Sequence, residues 1–151
     1  MKMAMWTGSA LEQVNLSFHA AKALVLNALY GLKEHYAETG WKTRDPQEAL
    51  SELIEDEALF VFTPDHRVIC LTLCQPWFSG EDVLCEEFVE YGIPLETVSE
   101  VMEYVARGAN VQRLVAGTRA APNQRHAGLA KLYSKHGWAV STMELTRVIE
   151  L

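Results

Sequence analysis

The feature that most constrains the fold is a pair of apolar runs in the middle of the chain. ALFVFT (58–63) and VICLTLC (68–74) are rich in β-branched and aromatic residues, and the turn-forming cluster PDHR (64–67) separates them. Two such runs around a short turn are typical of a β-hairpin. A third run, from about Asp82 to Glu90, follows closely, so the sequence predicts an antiparallel meander of three strands.

Helical periodicity precedes the meander. Between Ser9 and Glu38 apolar residues recur every three or four positions, which predicts one long helix, or two helices with a break near Gly31. In the next segment Asp45 is a suitable N-cap and Pro46 a suitable first residue for a short acidic helix. We therefore expect helices before the strands.

A crossover helix is expected after the meander, at Pro94–Arg107, with Gly108 as its stop. The rest of the chain predicts a strand at Val111–Thr118 and a loop at 119–123. A helix then ends at His136, with Gly137 as its left-handed cap, and a final strand runs from about Trp138 to Val148. A helix that links two neighbouring strands makes them parallel, and the connection should be right-handed.

These elements predict an α/β protein of the α+β type, with a mixed, mostly antiparallel sheet, helices on both faces and one parallel crossover. The chain has 151 residues and no linker-like segment, so a single domain is expected. Its residues 1–44 would form a helical N-terminal part and its residues 45–151 the sheet core.

Charge is unevenly distributed along the chain. The net charge is −7; residues 1–106 carry 18 acidic and 6 basic side chains, whereas residues 107–151 carry 2 acidic and 7 basic ones. Excess negative charge over most of the surface would repel a polyanion, which argues against nucleic-acid binding. The basic end could hold one small anion or simply be solvated.

Membrane-spanning, secretory and metal-binding patterns are not found in the sequence. The longest apolar stretch, at Ala23–Leu26, is much shorter than a membrane span, and MKMAMWTGSA does not resemble a signal peptide, so we expect a cytoplasmic protein without membrane contacts. Cys70, Cys74 and Cys85 lack a C-x-x-C pair and zinc-site spacing. We expect them to be reduced core residues and no metal to be bound.

One segment resembles a known family. The heptad LYSKHGW (132–138) is similar to the L-Y-x-K-x-G-F signature of the GNAT family of N-acetyltransferases, and the order of elements from about Pro46 onwards is also similar. The strand at 82–92 resembles a family strand that carries a Glu before an apolar pair, here Glu87-Phe88-Val89. The resemblance implies that this strand and the next one diverge and leave a cleft for the pantetheine arm of acetyl-CoA.

The resemblance also implies site residues. Tyr133 would protonate the departing thiolate, and Glu86 or Glu87 would deprotonate the acceptor amine, directly or through water. Because the two glutamates alternate along a strand, at most one is expected to face the cleft. Acetyl-CoA contacts are implied for Val89, Thr97, Val98, Ser99, Asn123 and His126.

The residues alone leave other roles open. Tyr133 could instead anchor its helix to the sheet, the glutamates could protect a strand edge, and His126 could be a solvated helix residue.

The phosphate loop of that family has no counterpart here. Its motif, Q/R-x-x-G-x-G/A, precedes the crossover helix, where small residues and free N–H groups receive a diphosphate. The corresponding stretch is PLETVS (94–99), in which Pro94 has no N–H, Leu95 is bulky and Glu96 adds a carboxylate to the first helical turn. A basic residue nearer the C-terminus could compensate.

Two functions remain open from the sequence. One is an acyl-CoA-dependent N-acetyltransferase, or a close relative with a degenerate diphosphate loop, that acts on an amine. The other is a catalytically weak or inactive GNAT-like protein that binds and modulates a bacterial host protein. The second follows from the compact, acidic character of the chain, which resembles the small divergent GNAT-like proteins of tailed bacteriophages that act in the host cytoplasm.

Overall fold

One mixed β-sheet organises the described part of the chain. The structure is a computed structural model and describes residues 1–38, 40–117, 126–141 and 147–151. Its strands are β1 (Lys2–Trp6), β2 (Leu11–Glu12), β3 (Leu59–Phe62), β4 (Val68–Cys74), β5 (Val83–Val89) and β6 (Arg113–Val115). Its helices are α1 (Phe18–Glu38), α2 (Pro46–Glu55), α3 (Leu95–Gly108) and α4 (His126–Ser134). The strand order in the sheet is β2-β1-β3-β4-β5-β6.

The predicted meander and crossover are confirmed. β3 pairs antiparallel with β4, and β4 pairs antiparallel with β5. The hairpin turn closes with the Thr63 N–H donating to the Arg67 carbonyl at 2.9 Å. After α3 the chain returns as β6, which pairs parallel with β5, as expected for a strand reached through a helix.

The N-terminal prediction is wrong in its first part. The helix begins at Phe18 instead of Ser9, because the Ser17 Oγ accepts the Ala20 N–H at 3.1 Å and caps the first turn. Residues before it form β1 and β2, and β1 lies parallel to β3, so the sheet has a second parallel pair that the sequence did not predict. From Phe18 to Glu38 the helix is continuous, with no break at Gly31.

The other helix ends partly follow prediction. α2 starts at Pro46 after Asp45, although the Asp45 side chain makes no capping hydrogen bond. α3 continues through Gly108 instead of stopping before it. Its left-handed residue is Asn110, with φ +56°, and the Val111 N–H donates to the Ala106 carbonyl at 2.9 Å to close the end.

Helices cover both faces of the sheet, as predicted. On one face α1 and α2 pack on strand residues, forming a core of Ala21, Val25, Ala28, Leu29, Leu50, Phe60, Phe62, Val68, Cys70 and Phe88. On the other face α3 packs on the remaining strand residues, forming a core of Val61, Ile69, Leu71, Leu84, Val98, Val101, Met102 and Ala106. Alternation along the strands divides apolar residues between the two cores.

Parts of two further predictions are wrong. Residues 138–141 and 147–148 are not in a strand, and 142–146 lie outside the described residues, as do Thr118 and the predicted loop at 119–123. Cys70 is buried as expected, but Cys74 is exposed and Cys85 is only half-buried. Burial declines along β4, from fully buried residues at Val68–Leu71 to exposed ones at Leu73 and Cys74.

Candidate functional site

β5 extends beyond the end of its neighbour β6. β5 and β6 pair only over Val83–Cys85 and Arg113–Val115. β5 continues to Val89, whereas β6 ends at Val115. From Glu86 onwards, the edge of β5 on the β6 side therefore has no partner strand within the described ranges. β6 is paired over its whole length, so the divergence of the two strands that the resemblance implied stays a prediction.

An irregularity in β5 assigns its two glutamates to different faces. Cys70 pairs with Phe88 and Leu71 pairs with Glu86, so Glu87 is an extra residue in the ladder. Glu86 is half-buried on the α3 face, opposite Leu71. Glu87 lies on the α1 face, where the Thr72 hydroxyl donates a hydrogen bond to its carboxylate. Only Glu86 is therefore directed to the side of the sheet that α4 approaches.

A phenol and a carboxylate meet at this position. The Tyr133 hydroxyl donates to the Glu86 Oε2 at 3.4 Å, and the pair joins α4 to β5. Burial, followed by the charge of Glu86 and this hydrogen bond, raises the pKa of Tyr133 well above its ordinary value. The phenol is thus fully protonated at neutral pH and can act as a proton donor.

The heptad around Tyr133 forms a helix C-terminal motif. Gly137 has φ +84°, the Trp138 N–H donates to the Tyr133 carbonyl at 3.2 Å and the Gly137 N–H donates to the Ser134 carbonyl at 3.3 Å. This is a Schellman arrangement, which brings the residue after the glycine against the last full turn. Accordingly the Tyr133 and Trp138 rings lie edge to face, 5.4 Å apart.

Trp138 connects this motif to α3. Its indole Nε1–H donates to the Ser99 Oγ at 3.0 Å, and Ser99 is buried. Trp138 also packs against the α3-side core. The orientation of Tyr133 is therefore set by contacts to both β5 and α3. The sequence did not reveal this link, because a Ser in a helix and a Trp after a glycine are each ordinary residues.

The residues for which the resemblance implied acetyl-CoA contacts are dispersed. Val98 and Ser99 are buried on the inner side of α3. Val89 is half-buried and packs against the α3-side core. Thr97 lines a cavity at the start of α3. Asn123 and the side chain of His126 lie outside the described residues. Their roles stay predictions.

The cavity at the start of α3 has a volume of about 260 Å³ and is smaller than most ligand pockets. It is lined by Trp6, Gly8, Thr63, Pro64, Asp65, Gly92, Ile93, Pro94, Thr97 and Glu100. Within the described part of the chain, this lining includes two carboxylates and no basic side chain. The Thr63 hydroxyl and then the Arg67 guanidinium hold the pKa of Asp65 below its usual value, which keeps it ionised.

Arg67 is a cation near this cavity that the sequence presented only as a turn residue. Its Nε contacts the Asp65 Oδ2 at 3.0 Å, and its Nη1 donates to the Tyr91 carbonyl at 3.0 Å. Gly92 leaves the space that the guanidinium occupies. Because this charge is already paired with Asp65, it offsets that one carboxylate of the cavity lining.

The start of α3 does not suit a diphosphate. Pro94 is the N-cap and supplies no N–H, and no side chain caps the helix. Glu96 is exposed in the first turn, where its charge interacts favourably with the helix dipole. A phosphate there would lie near an uncompensated carboxylate. The residues present therefore disagree with the usual diphosphate position.

Comparisons with known proteins give a fold relationship. No protein-family model matches the chain. No curated protein sequence matches it either. A search of solved structures finds the crystal structure of a probable acetyltransferase, with a TM-score of 0.52, 12% sequence identity, and coverage of 91% of this chain and 96% of that one.

The fold is GNAT-like. At this identity the match carries over the fold and not the activity. Over the described residues, no helix has both the length and the apolar character required to cross a membrane. In that same part of the chain, no three His, Cys, Asp or Glu side chains come together as a metal site.

Proposed function

We propose that the protein is an N-acyltransferase that moves an acyl group from a thioester donor to an amine, with Glu86 as the base and Tyr133 as the acid. One observation carries the proposal: the Tyr133 hydroxyl donates to Glu86 where β5 loses its partner β6. The GNAT-like fold supports it, because the resemblance assigns the thioester to a cleft between these two strands.

The reaction requires few groups. The amine attacks the thioester carbonyl, and Glu86 accepts a proton from the nitrogen. A backbone N–H on the unpaired edge of β5 polarises the carbonyl oxygen. The C–S bond then breaks, and Tyr133 gives its proton to the thiolate. Because Tyr133 already donates to Glu86, the proton that Glu86 has taken can pass to the phenolate and restore both groups.

Acetyl-CoA is the first donor to test, although its diphosphate cannot lie on α3 in the usual way. Two like charges about 4 Å apart oppose each other by about 1 to 4 kcal/mol near a protein surface. We propose that the nucleotide part lies away from Glu96 and that its diphosphate makes few contacts with the protein. A nucleotide-free thioester, S-acetylpantetheine, should then have a kcat/KM within about tenfold of that of acetyl-CoA, because the diphosphate contributes little binding energy. A loss of a thousandfold or more would contradict this.

The catalytic assignment is tested by four variants assayed for thiol release with a panel of amines. Tyr133→Phe and Glu86→Gln should each lower kcat by about 10²- to 10⁴-fold without unfolding the protein. Glu87→Gln tests the other glutamate, which faces α1 and should not lower kcat. Tyr104→Phe, on an exposed part of α3, is the matched control for loss of a phenol.

Two results would remove the enzymatic proposal. The first is equal activity of all four variants. The second is a purified protein that neither transfers nor hydrolyses the acetyl group at millimolar acetyl-CoA and gives no heat of binding on titration.

A second candidate is a GNAT-like protein that lacks catalysis and binds a bacterial host protein in the host cytoplasm. The unsuitable start of α3, with Pro94 and Glu96, favours it. It would form a stable complex with a cellular protein, and Tyr133→Phe would not weaken that complex. Affinity purification from a bacterial lysate, with the wild type and this variant in parallel, decides between the candidates.

A further inference from the structure

We propose that Cys74 and Cys85 form a reversible redox pair, which becomes a disulfide by exchange with a low-molecular-weight disulfide. The Cys74 Sγ and the Cys85 Sγ are 2.7 Å apart, at the end of β4 and near the start of β5. This site is separate from the Glu86–Tyr133 pair and does not depend on the proposed acyltransferase activity.

The strand register explains the contact. Cys74 lies opposite Val83 and Thr72 lies opposite Cys85, so the two cysteines are diagonal neighbours on one face of an antiparallel pair. At this end of β4 burial is lost, and Leu73 and Cys74 are exposed. The two sulfurs are already 2.7 Å apart, so they need to approach only to the bond length of about 2.05 Å to form a disulfide.

The surroundings give the two thiols different roles. Cys74 is exposed, so it can meet a reagent from solution, whereas Cys85 is half-buried. Burial, the contact with Cys74 and the charge of Glu87 raise the pKa of Cys85 to about 12. Cys85 is thus a poor first nucleophile at neutral pH. Cys70, the third cysteine, is buried under α1 and is a built-in control.

The exchange takes place in two steps. The Cys74 thiolate attacks one sulfur of the small disulfide, a mixed disulfide forms and one small thiolate leaves. Cys85 loses its proton and attacks the Cys74 Sγ, the protein disulfide forms and the second small thiolate leaves. The two cysteines together lose two electrons and two protons, and one small disulfide becomes two small thiols.

The test uses the full chain and oxidised glutathione, followed by alkylation and digestion after glutamate. Trypsin is unsuitable because residues 68–107 form one tryptic peptide that contains all three cysteines, whereas cleavage at Glu81 separates Cys74 from Cys85. The wild type should lose two of its three free thiols and link peptide 58–81 to peptide 82–86. Dithiothreitol should reverse the change.

Matched variants identify each role. Cys85→Ser should retain one glutathione on Cys74, because no second thiol resolves it, and Cys74→Ser should acquire neither glutathione nor a cross-link. Cys70→Ala should cross-link as the wild type does. Three unchanged thiols, a stable glutathione adduct on the wild type, a link through Cys70 or disulfide-linked dimers would each overturn the proposal.

Discussion

The substitution Gly92→Ala provides a quantitative test of the packing at the start of α3. Gly92 has φ +94°, a conformation that costs about 1 to 2 kcal/mol for a residue with a side chain. A Cβ atom there would also lie 1.6 Å from the Arg67 Nη1 and 2.8 Å from its Cζ. The guanidinium would have to move.

The second cost comes from the contacts that Arg67 loses. Its Nη1 would leave the Tyr91 carbonyl, and its ion pair with Asp65 would be disturbed. Hydrogen bonds of charged groups contribute about 1.5 to 3 kcal/mol. Because the Arg67 side chain is 39% exposed and water screens its charge, we expect these contacts to contribute only about 1 kcal/mol. Together Gly92→Ala should lower the free energy of unfolding by about 2 to 3 kcal/mol and Tm by about 4 to 12 °C.

Urea unfolding of the wild type and four variants (Gly92→Ala, Gly8→Ala, Arg67→Ala and Arg67→Ala with Gly92→Ala) separates the two costs. Gly8→Ala is the matched control, because Gly8 has φ +102° with no atom within 4 Å of the added Cβ, and it should cost only about 1 to 2 kcal/mol. In an Arg67→Ala background, the loss of unfolding free energy caused by Gly92→Ala should fall to the loss caused by Gly8→Ala. If Gly92→Ala costs the same with and without Arg67, the structural argument is refuted.

Three further predictions concern other parts of the molecule. Trp138→Phe keeps a ring beside Tyr133 but removes the indole donor to the buried Ser99, so urea unfolding should show a loss of about 1 to 3 kcal/mol, and a much smaller loss when Ser99 is already Ala. Because the pKa of Tyr133 is raised in the folded state, folding stability should decline as the pH rises above about 10, the unfolded pKa, and Tyr133→Phe should be less sensitive to alkali. In a spectroscopic titration of the tyrosines, Tyr133→Phe should lack the part of the phenolate absorbance change that the wild type shows at the most alkaline pH. Glu57→Gly should raise the free energy of unfolding by about 0.5 to 1 kcal/mol, because Glu57 has φ +59° at the end of α2 and its ion pair with Lys2 is exposed; an unchanged urea midpoint would contradict this.

Local patterns predicted well where the signal lies within a few residues. The turn between β3 and β4, the start of α2 at Pro46 and the left-handed Gly137 all depend on neighbours in sequence. β1 was missed because Met and Ala are not typical strand residues, and its conformation is decided by pairing with β3, which is distant in sequence.

The site shows the same division between local and distant information. Alternation predicted that Glu86 and Glu87 face opposite sides, but which of them meets Tyr133 depends on the pairing of β5 with β4 and on the approach of α4. The resemblance alone assigns Ser99 to the cofactor. The structure gives its hydroxyl the Trp138 indole as a partner, which only tertiary packing determines.

The Tyr133–Glu86 pair and the start of α3 are mechanically connected. Tyr133 lies near the C-terminal end of α4. Trp138, which follows the Gly137 cap of that helix, donates a hydrogen bond to Ser99 in the second turn of α3. A change that shifts α3 therefore shifts the phenol relative to Glu86, and proton transfer is sensitive to such distances. Substitutions at Pro94 or Glu96 that are intended to admit a diphosphate can thus alter kcat through position alone. For such a variant, the effect of the changed charge on acetyl-CoA affinity has to be measured separately from any effect of a changed Tyr133–Glu86 distance on kcat.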